Sequence, residues 1–87
     1  MDTATAELAA ADDLTLVQQA AAGDLAAFDA LMHRHNQRLY RAARGILRNE
    51  AETEEAVQDA WWKAYQHLRD FRGDASPLTW LTRIAIN

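Results

Sequence analysis

Phe71, Arg72, Gly73 and Asp74 stand in a row, with Ser76 just beyond them and a second aromatic, Trp80, further on. A short loop of that make-up can contact a nucleobase and its phosphate together. The ring offers a stacking wall, the guanidinium reaches a phosphate, and the glycine lets the backbone approach closely. Upstream, Glu55, Gln58, Asp59 and Trp62 fall mostly on the polar side of a helical pattern. An acid and an amide on a rigid helix can hold a partner's arginine through charge-assisted bonds. The large indole on that polar side needs a reason, and tryptophan is enriched among interface anchors.

Other chemistry is scarce. His33 and His35 are two apart, so on a helix they point in different directions and cannot share a metal. His35 falls in an apolar stripe and reads as a packed core histidine, and His67 stands alone. There is no glycine-rich phosphate loop and no Ser-His pair. Cysteine is absent, which excludes disulfides and thiolate metal sites. The expectation is a protein that is not an enzyme and carries no cofactor and no metal.

The elements that must position these residues are helices. Val57, Trp61, Ala64, Tyr65 and Leu68 recur at steps of three and four, the spacing of one helix face. Asn49 caps that helix, with Glu52 at the capping-box position. Glu50, Glu52, Glu54 and Glu55 crowd its first turns, where the helix dipole favours negative charge. It ends near Leu68 to Phe71, and Gly73 permits the turn. Ser76 caps a last helix with Pro77 at its first position. Before these, Asp12 or Asp13 opens a helix through Ala22. Gly23 closes it, and Asp24 caps a longer helix from Leu25 to Leu47.

In that long helix Phe28, Leu31, His35, Leu39, Ala42, Ala43 and Ile46 form the buried stripe. Arg34, Arg38, Arg41, Arg44 and Arg48 run beside it. Two readings of the arginines stay open: stems laid over the core edge and paired with acids of the next helix, or contacts to phosphate or a protein partner. Met1 to Ala11 is alanine and threonine with little to bury and reads as a disordered tail. The expected core is Phe28, Leu31, Leu39, Ile46, Val57, Trp61, Tyr65, Leu68, Trp80, Leu81 and Ile84.

Eighty-seven residues make one small domain, and the 49% hydrophobic content is swollen by alanine, which favours helix but buries little. No stretch alternates with period two, so the fold class is all-α, a compact bundle of three to four helices. No apolar run reaches the ~20 residues of a membrane span. No basic region followed by an apolar core opens the chain, so no signal peptide is expected and the location is cytoplasmic. The net charge of −4 argues against tight duplex binding by charge alone. All lysines and arginines lie from Arg34 onward, so any nucleic-acid contact belongs to the later part.

Gln58-Asp59-Ala60-Trp61, Lys63-Ala64-Tyr65, Phe71-Arg72-Gly73-Asp74, Thr79-Trp80-Leu81, Arg83-Ile84-Ala85 and Asn87 together resemble region 2 of extracytoplasmic-function (ECF) sigma factors. These are small bacterial factors that give RNA polymerase its promoter. The resemblance runs from about Asp12 to Asn87 and implies a region 2 domain over 12–87. It implies that Gln58 and Asp59, with neighbouring Glu55, bind the β′ clamp helices of core RNA polymerase, and Trp62 is expected beside them as a candidate anchor of that interface. It also implies that Phe71, Arg72, Gly73, Asp74, Ser76, Arg83 and Asn87 bind the melted minus-ten element, as single-stranded non-template DNA. An anti-sigma factor is a further implied partner. In the family the last helix continues and a second DNA-binding domain follows. No stop signal closes the helix at Asn87, so it is expected to be truncated there, with that second domain absent.

Two positions depart from the family. Trp62 stands where an aliphatic residue is usual; it either anchors the polymerase interface or packs under the first helix. Ser76-Pro77 follows the pattern only loosely. Trp61 and Trp80 match packing positions, with base stacking as their other reading. Two other classes remain. A helical protein–protein adaptor has no use for a basic, glycine-containing loop between aromatics. A helix-turn-helix duplex binder is poorly served by a last helix whose one basic residue is Arg83.

Overall fold

The computed structural model describes the backbone of residues 3–86 and the side chains of residues 6–8 and 10–86. The helices are α1 (Thr3–Ala10), α2 (Asp13–Ala21), α3 (Leu25–Arg44), α4 (Glu50–Gln66) and α5 (Pro77–Ile86), with one 3-10 turn at Leu68–Asp70 before the last. No strand occurs among the described residues.

The boundaries follow from local chemistry. The Asp12 carboxylate accepts from Thr15 N at 2.8 Å and opens α2. Gly23, at φ 106°, closes that helix: Asp24 N donates to Gln19 O and Gly23 N to Ala20 O, both at 3.0 Å. Asp24 then accepts from Ala26 N and Ala27 N to start α3. Asn49 accepts from Glu52 N at 2.8 Å at the head of α4. Thr53, fully buried one turn on, sends its hydroxyl back to Asn49 O at 2.8 Å.

Helix α3 is the spine, packed against α1, α2, α4 and α5. The core joins Leu16 and Val17 of α2, Leu31 and Leu39 of α3, Val57 and Trp61 of α4, Leu68 of the turn and Leu81 of α5. Alanines 20, 27, 43, 60 and 64 fill the places between them. The molecule measures 41 × 28 × 18 Å, so it is nowhere more than about two helices thick. Large side chains therefore reach the surface easily: Phe28, Trp80 and Ile84 are half-buried against the core rather than inside it.

Several expectations need correction. Residues 3–10, read as tail, form α1, which suits their alanine content. Leu8 packs against the core. The long helix ends at Arg44, not Leu47. Ile46 lies past that end and is 61% exposed; Leu47, bonded through its N–H to Ala43 O, turns inward instead. Tyr65, expected in the core, is 42% exposed, since a structure this thin has no room behind it. Of the arginine stripe, whose two readings stay open, Arg34 pairs with Asp13 of the preceding helix at 2.9 Å.

Candidate nucleic-acid and polymerase interfaces

The loop between α4 and α5 is set by its two ends. The 3-10 turn directs Phe71 into an extended conformation. Gly73, at φ 81°, makes the reversal that side chains disfavour. Ser76 closes the loop, accepting from Thr79 N at 3.2 Å and donating to Thr79 Oγ1 at 2.9 Å. Its hydroxyl thus caps α5, which makes Pro77 a natural first residue. Phe71 and Trp80 meet across the base of the loop, ring centroids 5.2 Å apart and tilted by 56°. Arg72, Gly73, Asp74 and Ser76, which lie between those two rings in the chain, are exposed. Arg83, one turn beyond Trp80, is exposed along an open cleft that His67 and Asp70 also line. Asn87 lies outside the described residues.

Glu55, Gln58, Asp59 and Trp62 are all exposed on α4. At about 100° per residue they fall within roughly a third of the helix circumference. Trp62, 60% exposed, sits in the middle of that stripe and is not packed under α2, the first helix expected from the sequence. Its ring lies nearly parallel to Tyr65, centroids 6.3 Å apart at 19°. Tyr65 meets the edge of Phe28 at 5.3 Å, and Phe28 meets Trp61 at 5.8 Å and 90°. Phe28, Met32, Gln58, Trp61, Trp62 and Tyr65 line one apolar groove between α3 and α4. Glu55 and Asp59 lie at the edge of the stripe nearer α5, where they line a second cleft with Lys63 and Ile84. Asp59 and Lys63 form an exposed pair at 2.9 Å. Such pairs contribute little to stability, so Asp59 remains open to exchange for another cation.

Trp61 is core: 6% exposed, with Nε1 donating to Asn36 Oδ1 at 2.8 Å. Trp80 is half-buried and shared between core and loop.

Sequence reasoning missed one cluster. Asp13 Oδ1 accepts from Arg34 Nη1 and from His35 Nε2, both at 2.9 Å. A carboxylate can only accept, so Nε2 carries the proton there. His35 Nδ1 is buried with no hydrogen-bond partner among the described residues. Partial burial pushes the Asp13 carboxyl upward, but the bonds from His35 and Arg34 outweigh it and hold it below the usual carboxylate range. The Asp12 carboxyl is also lowered, by its bonds to Thr15. The available signal was the pair Asp12-Asp13: one acid suffices as a cap, and the second sits opposite Arg34-His35, a cation beside a histidine of the apolar stripe.

No group of three or more His, Asp or Glu side chains is placed to hold a metal among the described residues. Among the described residues, no helix is long and apolar enough to cross a membrane.

The sequence-family model for Sigma-70 region 2 matches residues 31–87, the stretch that carries both the loop and the α4 stripe. The chain belongs to the sigma-70 region 2 family, in its extracytoplasmic-function branch. It is similar to the ECF RNA polymerase sigma factor SigM of Mycobacterium tuberculosis, 40% identical over 75 residues, which is 86% of this chain and 38% of that protein. It is 37% identical over 75 residues to the RNA polymerase sigma-H factor of Pseudomonas aeruginosa, covering 86% of this chain and 39% of that one. To the ECF RNA polymerase sigma-E factor of Escherichia coli K12 it is 36% identical over 75 residues, again 86% of this chain and 39% of the relative. The chain thus spans about two fifths of the length of the curated relatives it matches. No solved structure gives a significant match.

Proposed function

We propose that this chain is the part of a transcription initiation factor that grips core RNA polymerase and reads the melted minus-ten promoter element. Glu55, Gln58, Asp59 and Trp62 meet the β′ clamp helices, and Tyr65 extends their apolar part. Phe71 to Ser76, with Arg83 and Asn87, receives the single-stranded non-template strand. Phe71 is the stacking wall, Arg72 the phosphate contact, and Asp74 and Asn87 bond base edges. The domain catalyses nothing; the polymerase supplies the reaction. It works in the cytoplasm, and an anti-sigma factor covering the α4 face is its natural second partner.

The observation that carries this reading is the loop. It is exposed, turned by a glycine at positive φ and closed by the contact between its flanking rings, Phe71 and Trp80. The test is a titration of the chain against single-stranded minus-ten oligonucleotides, the duplex of the same sequence and a base-scrambled strand. Tighter binding to the single strand, with affinity depending on the base at one position, is expected. Asn87→Ala is expected to flatten that dependence. Equal binding to every base, before and after the substitution, excludes the pocket.

A protein–protein adaptor is the second reading, and the Trp62–Tyr65 platform favours it. It predicts polymerase or protein binding with no preference among oligonucleotides.

A further inference from the structure

The loop does not stand on α4 and α5 alone. Helix α2 packs against the 3-10 turn that leads into it. The nearest side chain to the Cβ position of Gly73 is Leu14, whose Cδ1 lies 3.8 Å away. Leu14 is 43% exposed, so an apolar side chain from the first turn of α2 is presented at the surface beside the loop's one left-handed residue. Gly73 has no side chain of its own, and Leu14 supplies apolar atoms at that place.

Its position is fixed from below. The residue before it, Asp13, is tied to Arg34 and His35 of α3 by two bonds of 2.9 Å, and Asp12 caps the same turn. This end of α2 is therefore anchored on both sides of the helix start, while Leu14 points at the loop.

We propose that Leu14 is a specificity-determining residue of the base-reading surface, and that Asp13 is a positioning residue which holds it there through Arg34 and His35. The inference rests on the loop's proposed role in reading single-stranded DNA. Leu14 provides an apolar contact to the face or edge of a base seated beside Gly73, complementary to the wall made by Phe71. Apolar contact discriminates bases by shape and by the thymine methyl group, without a hydrogen bond.

The experiment uses the 87-residue chain and single-stranded minus-ten oligonucleotides carrying each of the four bases at each position in turn. Leu14→Ala and Leu14→Met are compared with the parent. The alanine variant is expected to lose about tenfold of the affinity ratio between best and worst base at one position, the lower end of what an apolar pocket contact discriminates. Leu14→Met, which restores apolar volume, is expected to keep the ratio. Asp13→Asn is expected to lower the ratio in the parent and to add nothing in the Leu14→Ala background, because it acts through Leu14. A thermal melt separates this from general loosening, which lowers affinity for every oligonucleotide alike. A parent that discriminates bases while Leu14→Ala keeps its full ratio overturns this inference and leaves the base-reading loop standing. Additive losses from Asp13→Asn overturn the positioning role. A parent with no base preference overturns both the inference and the reading beneath it.

Discussion

The indole N–H of Trp61 donates to Asn36 Oδ1 at 2.8 Å, pinning α4 to α3 beneath the groove that Trp62 and Tyr65 line. One residue thus serves the core with its ring and the orientation of α4 with its nitrogen. Trp61→Ala is expected to cost about 3–5 kcal/mol, which a domain this small barely withstands. Trp61→Phe keeps most of the ring and loses the bond. Asn36→Ala leaves the ring intact and is expected to cost only about 0.5–1.5 kcal/mol, because Asn36 is exposed and water reaches the freed donor. Urea unfolding of the three variants should follow that order.

The exposed stripe on α4 should behave oppositely. Trp62→Ala is expected to change stability by no more than about 0.5 kcal/mol, as at other surface positions. It should weaken binding to core RNA polymerase by about 2 kcal/mol or more, as loss of an aromatic anchor does. Asp59→Arg reverses the charge offered to the clamp and should also weaken binding, with the circular dichroism spectrum unchanged. Full-strength polymerase binding in both variants would show that the face has been wrongly assigned.

Asp13 gives a pH dependence with a definite sign. Its carboxyl is held below the ordinary value, so the folded state binds fewer protons than the unfolded state in that range. The stability it contributes is complete above the unfolded carboxylate value of about 4 and is lost as pH falls through the folded one. Asp13→Asn should remove that part of the acid-side slope. Parallel unfolding curves of parent and variant between about pH 5 and pH 2 would count against the assignment.

At Gly73 the question is conformation and not space. A Cβ there would meet Leu14 Cδ1 at 3.8 Å, an ordinary contact. The φ of 81° is what an alanine resists, at about 1–2 kcal/mol. Gly73→Ala should therefore be destabilising, and Leu14→Ala should not relieve it. Gly73→Asn, which tolerates the left-handed region better, should cost less. Chemical denaturation of the single and double variants measures both.

The starts of α2, α3, α4 and α5 and the turns at Gly23 and Gly73 were legible because each has a local cause within four residues: Asp12, Asp24, Asn49 and Ser76 as caps, the glycines as reversals; α1 and the end of α3 were not. Contacts across the chain were less legible. Nothing local says that Asp13 bonds Arg34 and His35 more than twenty positions away, or that Leu14 lies against Gly73. Ile46 and Tyr65 were misplaced for a related reason. Periodicity identifies a face but not how deep the body behind it is, and an alanine-rich bundle two helices thick leaves the ends of its apolar faces in water. The loop and the α4 stripe were visible by residue type. That Trp62 stacks on Tyr65 needed the fold.

From Glu50 to Arg72 the chain contains neither glycine nor proline, and one helix runs through His67 into one 3-10 turn. Between the proposed polymerase-facing stripe and the loop there is accordingly no glycine or proline hinge. In its proposed role the domain works as a drilling jig: clamped along α4, it has one place where the loop can come to rest. The distance from the grip to the nucleotide then becomes a property of helix geometry, and inserting a single residue between Gln66 and Phe71 should displace the read base even though every named contact residue is still present.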